Sequence, residues 1–103
     1  MLTEIQEKAL KESITHWKRM RDNKRIEAED GRLEEPWGTD CSCCQTYTDC
    51  EGCPIKEYTG EDGCRSTPYY AIIYEYEYFG IESKEFKREA QCMIDLMEDI
   101  LDE

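Results

Sequence analysis

The chain has 103 residues, 25 acidic and 13 basic, so its formal net charge is −12. This length predicts a single domain over residues 1–103, and the acidic surplus excludes the broad basic surface that nucleic-acid binding needs. The first residues lack the basic and apolar regions of a secretory signal. The longest nearly apolar stretch, Tyr69–Tyr74, is far shorter than the roughly 18 residues that predict a membrane span. We therefore expect a cytoplasmic protein that does not contact membranes.

The N-terminal segment predicts a long amphipathic helix over residues 3–28. Thr3 and Gln6 have the spacing of a capping box, in which each side chain hydrogen bonds to the backbone of the other residue. Apolar residues then follow three- and four-residue steps through Leu10, Ile14, Trp17 and Met20, and Ile5 and Ala9 extend this stripe toward the N-terminus. Gly31 is expected to end the helix in the left-handed conformation. His16, the only histidine, lies off the apolar stripe and is predicted to be on the surface.

Residues 41–64 hold six of the seven cysteines and show neither helical nor strand periodicity. Two Cys-x2-Cys pairs favour a tetrahedral zinc site, which binds thiolate sulfur. Only five residues separate the two pairs, fewer than in most zinc modules, so later cysteines are expected to complete the tetrahedron. The predicted ligands are Cys41, Cys44, Cys53 and Cys64. Cys50 is the competing ligand, whereas Cys43 is expected to point away from the ion. An iron–sulfur cluster is the alternative cofactor, because it also uses four thiolates.

The C-terminal part predicts two more helices. Thr67–Pro68 is typical of a helix start and favours a short helix over residues 68–79. The alternation of β-forming residues there makes a strand the alternative. Ser83 is the predicted cap of a last helix over 83–102, whose apolar positions repeat at helical spacing: Phe86, Ala90, Met93, Ile94, Met97, Ile100 and Leu101. Cys92, within this helix, is predicted to be buried as a small apolar side chain.

Five tyrosines crowd the segment 68–79, and no single helix can bury all of them. Tyr69 and Tyr76 are predicted to pack in the core. The other three, Tyr70, Tyr74 and Tyr78, are predicted partner contacts, because exposed tyrosine is enriched at protein interfaces. The predicted fold class is mostly α. Two long amphipathic helices at the ends pack together, bridged by the metal-stapled cysteine loop and the short middle helix or strand.

Several of these motifs also occur together in a known group of proteins. Cys41-x2-Cys44, Cys53-Pro54-Ile55, Cys64 and Thr67-Pro68-Tyr69, followed by an acidic last helix, resemble small uncharacterised cysteine-rich proteins of tailed bacteriophages. The resemblance implies a bacterial host cytoplasm and supports the same four ligands. It implies no activity.

The leading functional prediction is a non-enzymatic, zinc-stapled protein that binds a host protein. Its negative charge suits an inhibitor of a host defence factor or of a nucleic-acid-binding factor. One alternative is an iron–sulfur or thiol redox protein. The other is a zinc-finger-like nucleic-acid binder that uses the basic residues of segment 18–25, although the overall charge makes nucleic acid a disfavoured partner. The sequence specifies no oligomeric state.

Overall fold

The computed structural model describes residues 2–27, 29–35, 53–60 and 68–102. Most of the described residues are helical, which confirms the mostly α prediction. The helices are α1 (Glu4–Arg21), α2 (Pro54–Thr59), α3 (Tyr69–Phe79) and α4 (Lys84–Leu101). No helix within these described ranges is both long and apolar enough to cross a membrane.

Helix α1 begins at the predicted capping box. The Gln6 backbone N–H donates to the Thr3 hydroxyl over 3.1 Å, and the Thr3 N–H donates to the Gln6 side-chain oxygen over 3.0 Å. These two bonds satisfy backbone donors that a helix start leaves without intrahelical partners. Ala9 is buried as expected, but Ile5 is 64% exposed, so its predicted place in the apolar stripe is wrong.

Helix α1 ends at Arg21 rather than at residue 28, where the sequence analysis placed its end. Asn23 adopts a left-handed φ of 54°, and its N–H donates to the Met20 carbonyl over 3.3 Å. The next N–H, of Lys24, donates to the Arg19 carbonyl over 2.8 Å. This pair of bonds is a Schellman motif, which satisfies the last carbonyls of the helix. Asparagine tolerates the left-handed conformation better than other non-glycine residues.

Gly31 does adopt the predicted left-handed conformation, with φ of 85°, but it lies in a turn beyond the helix. The turn reverses the chain, so that Glu27 and Leu33 form an isolated antiparallel bridge. The Glu34 N–H then donates to the Ile26 carbonyl over 2.9 Å. The reversal places Glu34 against α1, which the predicted longer helix would not have done.

Helix α4 is the element around which the described helices pack, since it contacts α1, α2 and α3. The predicted contact between the two long end helices is thus confirmed. Ser83 caps α4 as expected by accepting the Phe86 N–H over 3.0 Å. The buried positions of α4 are Phe86, Ala90, Met93, Ile94, Met97 and Ile100. Cys92 is exposed, so its predicted burial is wrong. It precedes Met93 by one residue, a rotation of about 100° away from the buried face.

The middle segment is a helix and not the alternative strand. Ile72 is fully buried, and Tyr69 and Tyr76 pack partly buried against the core, as predicted. Their three- and four-residue spacing puts them on one face of a helix, whereas a strand would divide them between two faces. The proposed cap, Thr67, lies outside the described residues.

Candidate functional site

The predicted metal ligands fall mostly outside the described part of the chain. This applies to Cys41, Cys44, Cys50 and Cys64, and also to Cys43. Cys53 is described. It directly precedes α2, is 6% exposed, and belongs to the main hydrophobic core. Among the described residues, no three His, Cys, Asp or Glu side chains converge in a way that could hold a metal ion.

Short helix α2 holds Cys53 in place through contacts on both sides. Pro54 and Ile55 are buried, and the helix packs against α4. On the α1 side, the Gln6 amide donates to a Glu57 carboxylate oxygen over 3.1 Å. The burial of Cys53 is therefore set by long-range packing.

The three tyrosines predicted to contact a partner are all exposed on one side of α3. We call Tyr70, Tyr74 and Tyr78 the tyrosine stripe; their exposed fractions are 55%, 55% and 68%. They are spaced four residues apart and therefore line one side of the helix. The Tyr74 and Tyr78 rings lie 4.7 Å apart between centroids, and the Phe79 ring lies 6.4 Å from Tyr74. The buried residue Ile72 belongs to the opposite side of α3.

The helix that carries the tyrosine stripe is itself acidic. Glu77 is exposed on α3, and α3 carries no lysine or arginine. The whole chain also has a formal charge of −12. A surface that combines exposed aromatic rings with negative charge is complementary to a basic protein surface that has apolar recesses.

The structure also contains a buried polar cluster that the sequence analysis missed. His16 is only 1% exposed, so the prediction that it lies on the surface is wrong. Its place follows from a second helical row, Ala9, Ser13, His16 and Met20, whose members are all buried. The spacing of this row was visible in the sequence, but polar Ser13 and His16 concealed it.

Glu34 is the centre of this polar cluster, and its side chain is 4% exposed. One carboxylate oxygen, Oε2, lies 2.5 Å from His16 Nδ1 and accepts from Arg19 Nη2 over 2.7 Å. The other oxygen, Oε1, accepts from Arg19 Nε over 2.8 Å and from the Ile26 N–H over 3.4 Å. The Arg19 bonds are bidentate, the arrangement that holds a carboxylate most firmly.

The cluster keeps Glu34 ionised. Burial raises the pKa of the carboxyl, but the hydrogen bonds from Arg19 and His16 and their charges outweigh it and leave the pKa below its ordinary value. In return, the hydrogen bond to Glu34 raises the pKa of Arg19. An ionised carboxylate can only accept hydrogen bonds. Nδ1 of His16 is therefore the donor of this contact, and Nε2 lies on the other side of the ring.

That second ring nitrogen of His16 is buried and has no hydrogen-bond partner among the described residues. The Nε1 atom of the adjacent residue, Trp17, is also buried without a hydrogen-bond partner among the described residues. The two rings pack edge to face with centroids 4.8 Å apart, and Trp17 in turn contacts Tyr69 at the start of α3. A buried polar atom without a partner costs about 1–3 kcal/mol.

The basic residues near the end of α1 are engaged within the protein. Arg19 pairs with Glu34, and Arg21 pairs with Asp22 over 2.8 Å and with Gln91 over 2.6 Å. Lys18 lies 3.9 Å from Glu98. These pairs reduce the positive charge that this segment offers to phosphate, which weighs against the nucleic-acid alternative.

Comparison of the chain with protein-family models, curated proteins and solved structures finds no match in any of the three.

Proposed function

We propose that the chain is a small, non-enzymatic, zinc-stapled protein of bacteriophage type that acts in a bacterial cytoplasm by binding a host protein. Its partner is a host defence or nucleic-acid-binding factor, whose basic site the acidic protein occupies. The observation that carries this proposal is the tyrosine stripe of Tyr70, Tyr74 and Tyr78, exposed on an acidic helix. Tyrosine is enriched among the residues that dominate binding energy at protein interfaces.

The stripe supports protein binding because the fold does not need it. Helix α3 is anchored to the core by Ile72, Tyr69 and Tyr76. The stripe tyrosines are therefore not needed for this packing. Exposed aromatic side chains in close contact with one another form an apolar surface that binding would remove from water. The acidic surroundings attract a basic partner and speed its association.

Replacement of the stripe tests this function. We expect the triple variant Tyr70→Ser, Tyr74→Ser, Tyr78→Ser to stay folded but to bind its partner at least about tenfold more weakly, since tyrosine is enriched among the interface residues whose truncation costs more than about 1 kcal/mol. The matched control is Tyr58→Ser, which removes a tyrosine that is 47% exposed on α2. The measurement is capture of host proteins at low salt, followed by titration of the recovered partner. Equal binding by the triple variant and the control would contradict the proposal.

The zinc staple is proposed from the cysteine spacing, in which Cys-x2-Cys pairs can present thiolates to one ion. Because a chain of this size buries a limited core, a metal that joins distant segments would add to the stability of the fold.

Cysteine variants test the staple. We expect one zinc per chain in anaerobically purified protein, retained in Cys43→Ser and lost in Cys41→Ser and Cys53→Ser, because only the latter two remove predicted ligands. Elemental analysis with a count of reactive thiols measures this. Equal zinc in all variants would contradict the ligand assignment, and iron with labile sulfide would favour the iron–sulfur alternative.

A further inference from the structure

We propose that the tyrosine stripe binds arginine side chains of its partner, with each guanidinium stacked on a tyrosine ring, and that it selects arginine over lysine. This inference rests on the proposed function and deepens it, because it names the chemical group that the stripe binds. The occupant is a basic protein segment that presents arginines at intervals of about 6 Å, the rise of four residues along an α-helix.

The first argument is the exposure and spacing of the three rings. Each residue of the stripe is more than half exposed. Their four-residue spacing places them about 6 Å apart along the axis of α3. A cation that lies over the face of an aromatic ring, within about 6 Å of its centre, is attracted by the electrons of the ring. The stripe thus offers a row of rings at the interval at which another helix presents every fourth residue.

The second argument is that the rings are held by contacts within the protein. Tyr70 packs edge to face on Tyr69, with ring centroids 5.6 Å apart, and Tyr69 is partly buried against the core. Tyr78 packs on Tyr74 at 4.7 Å, and Phe79 contacts Tyr74 at 6.4 Å. Rings that are already packed lose less side-chain freedom when a partner binds. The stripe is therefore preorganised for stacking.

The third argument is the carboxylate beside the rings. Glu77 is exposed, and it follows Tyr74 by three residues and Tyr70 by seven, so it lies on the same side of α3. A guanidinium stacked flat on a ring keeps its N–H donors in its own plane and can donate them to a nearby carboxylate. The lysine ammonium is compact and more strongly hydrated, and it has no planar face to stack. Rings and carboxylate together therefore favour arginine.

Charge also decides against a second copy of the chain as the occupant. Helix α3 carries Glu75 and Glu77 and no lysine or arginine. Arg25 reaches α3 at the Tyr76 hydroxyl over 3.5 Å, on the side that packs against the core and not at the stripe. Two copies paired through their stripes would bring like charges together, which opposes association. A basic partner removes this conflict.

Two synthetic helical peptides test the proposal on the unaltered protein at low salt. They have equal length and charge and differ only in carrying three arginines or three lysines at every fourth position. The general attraction of a chain with net charge −12 for positive charge is then the same for both. We expect the arginine peptide to bind at least about fivefold more tightly and to shift the ring resonances of the stripe tyrosines more than those of Tyr58. Equal affinity for the two peptides, or binding of neither, would overturn the inference.

Variants separate ring stacking from charge. We expect Tyr70→Phe, Tyr74→Phe, Tyr78→Phe to keep the preference for arginine, because the rings remain, and the triple serine variant to bind both peptides equally. Glu77→Gln should weaken binding of the arginine peptide at least about threefold, since it removes a charged acceptor. Glu4→Gln makes the same charge change at an exposed position at the start of α1 and is the matched control. A preference for arginine that survives in the serine variant would contradict stacking on the stripe.

The proposed function and this inference fail by different results. If the triple serine variant captures host proteins as well as Tyr58→Ser does, the stripe is not the binding surface, and both are rejected. If the serine variant loses capture while the unaltered protein binds the two peptides equally, host-protein binding stands and arginine recognition is rejected.

Discussion

Replacing Phe86 by alanine is expected to lower the free energy of unfolding by about 4 kcal/mol, as large-to-small substitutions of fully buried phenylalanines do. Phe86 is 0% exposed and lies in the first turn of α4. Its ring centroid is 5.9 Å from that of Tyr76, so it joins α4 to α3. Loss of the ring removes apolar burial and leaves a cavity, because the surrounding helices relax only partly.

Phe79 supplies a matched control for this substitution. It ends α3, is 63% exposed, and would undergo the same chemical change to alanine. We expect Phe79→Ala to change stability by less than about 0.5 kcal/mol, as is usual for surface positions. Urea unfolding followed by far-ultraviolet circular dichroism compares the two variants. Equal losses would mean that the described packing of α3 on α4 is wrong.

Replacing Glu34 by alanine is expected to lower the free energy of unfolding by about 3 kcal/mol. This is the lower end of the range for removing one partner of a buried ion pair. The lower end applies because the Arg19 side chain is 29% exposed and water can solvate part of it. His16 would lose its only described hydrogen bond and would then have both ring nitrogens unpaired among the described residues.

Two other variants separate the buried cluster from a general charge effect. Glu29→Ala removes the same charge from an exposed position in the turn. We expect it to leave the free energy of unfolding nearly unchanged. Glu34→Gln keeps one oxygen acceptor and should lose less stability than Glu34→Ala. All three variants are compared under the same conditions and at the same zinc content per chain. If Glu34→Ala and Glu29→Ala differed by less than about 0.5 kcal/mol, the cluster would not contribute as described.

Local signals in the sequence predicted most of the helical structure. The caps at Thr3 and Ser83 were identified correctly because each involves a side chain and a backbone N–H only three residues away. The end of α1 was placed too late because the prediction rested on Gly31 alone, whereas Asn23, with basic residues in the preceding turn, forms the left-handed stop.

For some of the predicted site residues helical spacing alone gave the correct exposure, and for others it did not. Exposure of the tyrosine stripe followed from helical spacing, once Tyr69, Ile72 and Tyr76 were assigned to the buried side of α3. The positions of His16 and Cys92 did not follow in this way. Each is a residue of intermediate polarity near the edge of an apolar stripe, where a small rotation of the helix decides between burial and exposure.

The sequence by itself determined the mostly helical class, the pairing of the end helices, the helix caps and the cysteine pattern that predicts zinc, because these depend on neighbouring residues and on simple periodicity. Only the tertiary structure decided that His16, Arg19 and Glu34 form one buried cluster. Glu34 reaches α1 because the chain turns back at Gly31 and pairs Glu27 with Leu33. Such a contact depends on the path of the backbone between distant residues, and no local pattern specifies that path.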